Sequence, residues 1–181
     1  MTLKLKAYAK INLVLSILGK RSDGFHELES VMQTIGLHDN ITLAKSSVPG
    51  VRIKCAEKPE LATAENLAFR AADLFLTQAG ITDGVNITLE KRIPVAAGLG
   101  GGSSDGGAVL RGLNQLFSEP LTLQGLRELG SALGSDVPFF VTGGTAIARG
   151  RGEKIQNVPS EFNWNVLLIN PGFGVSTASV Y

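Results

Sequence analysis

The chain has 181 residues, with 17 Lys plus Arg against 16 Asp plus Glu, and 44% of it is hydrophobic. That apolar content supports a sizeable core and excludes a disordered chain, and the length fits one domain with room for the start of a second. Near-zero net charge with 6% aromatic residues argues against a nucleic-acid partner, and no apolar run approaches the ~20 residues of a membrane span.

Residues 7–17 alternate with period two. Ala7, Ala9, Ile11, Leu13, Leu15 and Ile17 fall on one face and Tyr8, Lys10, Asn12 and Val14 on the other, the pattern of a long half-buried strand. A turn signal containing Asp23-Gly24 ends it. Strands are expected next over 25–37, 40–44 and 51–55. The period then changes: Leu67, Ala71, Leu74 and Phe75 mark a helix over 65–78, with Thr63 available as its cap. A strand over 85–89 leads into a glycine-rich stretch. Beyond it, Val109, Leu113, Leu116 and Phe117 describe an amphipathic helix. Another helix is expected over 122–133, stopped by Gly134. Short strands are expected over 137–141, 145–148 and 164–169. Strands first, helices grouped in the middle and strands again define an α+β fold. The weak boundary signal Val158-Pro159-Ser160-Glu161 divides residues 1–158 from 159–181.

The single cysteine, Cys55, has no intrachain disulfide partner, and two histidines leave no zinc cluster. The N-terminus interleaves charged and apolar residues instead of presenting the unbroken apolar segment of a signal peptide, so the expected compartment is the cytoplasm.

Glycine is over-represented, at 22 residues, and its clustering marks the first candidate site. Between the strand over 85–89 and the following helix runs Lys91-Arg92-Ile93-Pro94-Val95-Ala96-Ala97-Gly98-Leu99-Gly100-Gly101-Gly102-Ser103-Ser104-Asp105. Glycines there let the backbone turn sharply and let a bulky ligand approach its N–H groups. With Ser103 or Ser104 as cap, the positive end of the helix faces the loop, which suits a phosphate. No lysine precedes the serines as in a Walker loop, and the context is not that of a dinucleotide fingerprint. Taken alone, the loop fits a ligand-free tight turn equally well. Lys10 interrupts an apolar strand on the face of Tyr8 and Asn12, and Asp136 precedes the apolar Val137-Pro138-Phe139-Phe140. Singly, each reads as an ordinary surface lysine or turn aspartate. His26 is open between an edge-strand role and a site role, and His38 reads as structural.

Together these segments resemble the GHMP small-molecule kinases. The likeness rests on Ala9-Lys10-Ile11-Asn12-Leu13, Arg21-Ser22-Asp23-Gly24-Phe25-His26-Glu27-Leu28, Lys91-Arg92-Ile93-Pro94, Gly98-Leu99-Gly100-Gly101-Gly102-Ser103-Ser104 and Gly134-Ser135-Asp136-Val137-Pro138-Phe139-Phe140, in order along nearly the whole chain. It implies the family's N-terminal domain, a mixed sheet with helices on one face as in ribosomal protein S5 domain 2. It also implies phosphoryl transfer from ATP, with Mg2+, to a hydroxyl of a small molecule. Within the family, the Lys-Ile-Asn strand and the Asp-Gly-Phe-His turn resemble the branch whose acceptor is a methylerythritol unit carrying cytidine diphosphate, in non-mevalonate isoprenoid synthesis.

The same resemblance implies roles for particular residues. Lys10 and Asp136 match the catalytic pair. The loop of Pro94, Val95, Ala96, Ala97, Gly98, Leu99, Gly100, Gly101, Gly102, Ser103 and Ser104 would wrap the triphosphate, with Ser104 offered to the metal. Asn66 and Lys91 match positions near the adenosine. Asn12, Phe25, His26, Thr177 and Tyr181 match the acceptor pocket, with Phe25 standing where relatives often carry tyrosine. Because the family continues into a second domain, residues 159–181 are expected to begin that domain, and a partial enzyme with weak or no turnover is expected. The competing expectations are another GHMP kinase, an inactive nucleotide-binding fragment, or an RNA-binding module. The charge balance and the triple glycine count against the RNA-binding module.

Overall fold

A computed structural model describes residues 1–160, 164–170 and 172. Its strands are β1 (Thr2–Lys20), β2 (His26–Ser46), β3 (Val51–Cys55), β4 (Gly84–Glu90), β5 (Thr145–Gly150) and β6 (Lys154–Val158). Its helices are α1 (Leu67–Gln78), α2 (Gly101–Leu116), α3 (Leu123–Leu133) and α4 (Val137–Thr142). All six strands form one mixed sheet in which only β3 and β4 run parallel, joined across α1. The long β2 organises it. Along one edge β2 pairs with β1 over nearly its whole length. Along the other it pairs with β4 through 40–46 and with β5 through 28–33. Residues 34–39 of β2 lie between those two neighbours, and the chain leaving β4 enters there.

Alternation decides which face the helices cover. In β4, Val85, Ile87 and Leu89 are buried while Asn86, Thr88 and Glu90 are exposed. Ile41 and Leu43 of β2 join them against Phe75 of α1 and Leu110 and Leu113 of α2. Each such side chain contributes about 1.5–3 kcal/mol on leaving water, so this layer supplies most of the drive that seats the helices.

Helix ends follow capping chemistry. The Thr122 hydroxyl accepts the Gly125 N–H at 3.1 Å to start α3, and Gly134 ends it, as expected. For α1 the cap is Asn66, not Thr63: its Oδ1 accepts the Ala68 N–H at 2.8 Å. α2 begins one turn earlier than a serine cap would allow, with Gly100 in the N-cap position at φ 70.

Four further expectations are corrected. The strands over 25–37 and 40–44 are one strand, β2. Its polar stretch His38-Asp39-Asn40 is no turn, because the buried Asp39 carboxylate is satisfied by neighbouring backbone amides. Residues 137–141 form α4, not a strand. All five are buried, so no polar position reveals a period, and Pro138 sits in the first turn where its missing N–H costs nothing. β6 was not expected, because Lys154–Val158 is largely polar and serves as an exposed edge. Residues 164–169 are not a strand: they pair with no β-ladder among the described residues, and Leu167 and Ile169 are 85% and 84% exposed.

Candidate active site

The sequence periodicity breaks where the site begins. In β1, Ala9 and Lys10 are both buried, and the pairing with β2 jumps from Tyr8↔His38 to Lys10↔Thr34. This bulge removes Lys10 from the face of Tyr8, which is 40% exposed, and turns it under the glycine loop. The freed Lys10 N–H donates to the Leu99 carbonyl at 3.0 Å, so loop and strand are tied at the bulge. Lys10 and Asn12 stay together as expected: the ammonium donates to Asn12 Oδ1 at 3.3 Å.

Asp136 arrives from 126 residues downstream in sequence, at the N-cap position of α4. Its Oδ2 lies 3.8 Å from Lys10 Nζ, with the lysine side chain 7% exposed and the aspartate 33%. α4 is set against α2 closely enough to require glycine at 107, where a Cβ would stand 2.6 Å from Cβ of Phe140. Gly100 is equally constrained: besides its positive φ, a Cβ there would meet the Phe140 ring at 2.7 Å and Lys10 Cγ at 3.2 Å. The ammonium, the carboxylate and the loop therefore share one packed foundation.

The loop and the first turn of α2 line a cleft of about 1080 Å³ that also contains Lys10 and Asp136. Pro94 through Ser103 all border it, as do Asn12, Phe25, His26, Asn66 and Lys91. The N–H groups of the first helical turn have no carbonyl within the helix to bind, and they carry the positive end of the dipole. Ala96 adopts φ 57, an unfavourable conformation for a residue with a Cβ, at the outer bend of this loop.

Three residues with expected roles have competing partners. The Ser104 hydroxyl donates to the Tyr8 carbonyl at 2.6 Å and is buried, so it faces the sheet and not the cleft. Of the two adjacent loop serines, Ser103 is the one that borders the cleft. The Lys91 ammonium is enclosed between Asp39 Oδ2 at 2.5 Å and Asp105 Oδ2 at 2.6 Å, and its side chain is 5% exposed. Asn66 likewise spends its side chain on the α1 cap and on the Leu61 carbonyl. Thr177 and Tyr181 lie outside the described residues.

Asp39 and Asp105 were not singled out from the sequence, although a carboxylate within an otherwise strand-like run was a usable signal. Asp39 Oδ1 accepts the N–H groups of Arg92 and Ile93 at 2.5 and 2.8 Å, fixing the first residues of the loop in the gap between β4 and β5. Asp105 lies on α2 with Oδ1 buried and without a hydrogen-bond partner among the described residues. Burial pushes its carboxyl up to about 7, the Lys91 charge pulling against the rise and the Asp39 charge adding to it. The two aspartates hold Lys91 well charged despite its burial, above its ordinary value. No group of three His, Cys, Asp or Glu side chains suited to a metal occurs among the described residues.

A glycine loop on a helix N-terminus, with a lysine–aspartate pair beside it on an α+β sheet, defines a class. Residues 66–144 match the family model for the GHMP kinases N terminal domain, and the chain carries the N-terminal domain of that family. Among relatives, it is 50% identical over 177 residues to the 4-diphosphocytidyl-2-C-methyl-D-erythritol kinase of Desulfitobacterium hafniense (strain Y51), covering 97% of this chain and 59% of the relative. It is also 50% identical over 181 residues to the kinase of the same name from Bacillus cereus (strain B4264), covering 100% of this chain and 63% of the relative. A crystal structure of 4-(cytidine 5'-diphospho)-2C-methyl-D-erythritol kinase superposes with a TM-score of 0.81 at 39% identity, over 99% of this chain and 63% of that one. Homoserine kinase from Cytophaga hutchinsonii shares the fold, with a TM-score of 0.69 at 24% identity. The chain thus spans about three fifths of the length of the curated relatives it matches.

Proposed function

We propose that this chain belongs to an ATP-dependent kinase that phosphorylates the 2-hydroxyl of 4-diphosphocytidyl-2-C-methyl-D-erythritol, giving the 2-phosphate and ADP in isoprenoid precursor synthesis. Residues 1–158 form its nucleotide-binding domain, and residues 159–181 begin the second. The observation that carries the reading is the approach of Lys10 Nζ to Asp136 Oδ2 at 3.8 Å inside the cleft that the glycine loop borders.

Phosphoryl transfer asks a protein chiefly for alignment and charge stabilisation. Amides at the start of α2 and its dipole receive the triphosphate. Asp136, one-third exposed at the cleft, accepts the proton of the acceptor hydroxyl or holds it in line for attack. Lys10, anchored by Asn12 and by the tie of its backbone to Leu99, offsets charge on the attacking oxygen. Magnesium accompanies the nucleotide. The donors present fit an ion held mainly by phosphate oxygens and water, with the Ser103 hydroxyl as the protein's contribution; when bound it neutralises phosphate charge. Phe25, 49% exposed on the β1–β2 turn, offers a ring to a cytosine base, and His26 and Asn12 border the same cleft.

Ligand-induced stabilisation tests the reading. ATP with magnesium and the cytidylylated alcohol should each raise the melting temperature of the chain, while mevalonate and homoserine leave it unchanged. Equal stabilisation by the non-cytidylylated alcohols, or none by the cytidylylated one, would overturn the substrate assignment.

A further inference from the structure

Two cations that border the cleft, Arg151 and Lys20, are left unused by the catalytic reading. β5 and β6 are joined by a tight turn that places Arg151 at the cleft beside the β1–β2 turn. Its guanidinium lies 4.8 Å from the centre of the Phe25 ring. The ring is itself held in place: Asp23 accepts the Phe25 N–H at 3.2 Å, and Arg21 bonds both Asp23 and Glu27. Arg151 is anchored through its own backbone, which donates to Glu153 Oε2 at 2.7 Å. Its Nε stands 3.9 Å from that carboxylate, beyond hydrogen-bond reach, so the donor edge of the guanidinium is not consumed by Glu153. The next residue, Gly152, packs beside Asp136, where a Cβ would be 3.6 Å from Oδ1. Lys20, at the base of the same turn as Phe25, borders the cleft too.

A cation on one face of an aromatic ring leaves the opposite face for a flat base. A guanidinium is a planar fork that fits phosphate oxygens in pairs. The cleft is therefore bordered by two anion-suited groups, the glycine loop and Arg151, along with the Lys10–Asp136 pair. One suits a triphosphate donor, and the other suits an acceptor that is itself a nucleotide. We propose that Arg151, seated on Phe25, is a substrate-positioning residue that binds the diphosphate of the cytidylylated acceptor. This rests on the kinase reading above and adds a residue that sets acceptor specificity.

Calorimetry on the 181-residue chain, with the donor end saturated by a non-hydrolysable ATP analogue, tests it with cytidine 5'-diphosphate and cytidine as probes. The wild-type chain should bind the diphosphate more tightly than the nucleoside. Arg151→Ala should weaken the diphosphate at least about tenfold while changing cytidine and the ATP analogue less than about threefold. Arg151→Lys should fall between, because charge returns without the fork. Equal affinity of wild type and Arg151→Ala for the diphosphate would overturn the inference alone. A wild-type chain that binds the ATP analogue but neither cytidine compound would overturn the acceptor reading, and this inference with it.

Discussion

Lys10 and Asp136 are individually unremarkable residues whose meaning comes from position. A lysine on a strand is normally solvated, yet this one is enclosed because a bulge turns it beneath a loop that bonds its backbone. Replacing Asp136 by Asn keeps the shape and removes the proton acceptor. Phosphoryl transfer to the cytidylylated alcohol should fall roughly 100-fold or more, with affinity for ATP within about threefold by calorimetry. Lys10→Ala should do the same. A variant that transfers phosphate at the wild-type rate would remove that residue from the chemistry. At this scale the sequence was legible as motifs, and it marked both residues. It did not expose the Asp39–Lys91–Asp105 cluster, because the three meet only when β2, the loop and α2 pack together. Nor did it show that Ser104 is spent on the Tyr8 carbonyl, since two adjacent serines look alike until a helix assigns them different faces.

The loop and the helix after it depend on what lies underneath. Gly100→Ala adds a side chain at φ 70, against Phe140 and Lys10. The left-handed conformation alone costs about 1–2 kcal/mol, and the contact with Lys10 carries the damage to the Lys10–Asp136 pair. A lowered melting temperature and at least about a tenfold loss of ATP affinity are expected; unchanged affinity would show that the loop tolerates displacement. The buried cluster beneath the loop makes a pH prediction. The Asp105 carboxyl titrates near 7 in the folded chain and near 4 in the unfolded one. Its stabilising contribution is therefore complete below about pH 4 and is lost as pH rises through about 7. The raised Lys91 ammonium stays charged across that window. Denaturant titrations at about pH 5 and 7.5 should show wild type losing stability relative to Asp105→Asn as pH rises. A constant difference between the two would contradict the assignment. Helices with a polar face and a cap were readable from sequence, as α3 shows. α4 was not, since five consecutive buried residues carry no period.

The molecule as a whole is a sheet whose longest strand is shared by two neighbours end to end, and the chain that becomes the glycine loop is fixed in the interval between them. That arrangement brings an amine near the N-terminus and an acid past residue 130 to one place, and no local pattern encodes it. The overall α+β class was legible because strand and helix periods are blocked along the chain. The union of 25–46 into one strand and the added edge β6 were not, because both depend on pairing and not on local preference. Protein and acceptor at comparable concentrations make a single turnover visible. The direct measurement is phosphorus NMR of the chain with magnesium ATP and 4-diphosphocytidyl-2-C-methyl-D-erythritol. ADP should appear together with an equal amount of a new phosphomonoester on the acceptor, and Asp136→Asn should abolish both. ADP accompanied only by inorganic phosphate, or a phosphomonoester that forms as fast with Asp136→Asn as with wild type, would contradict the account.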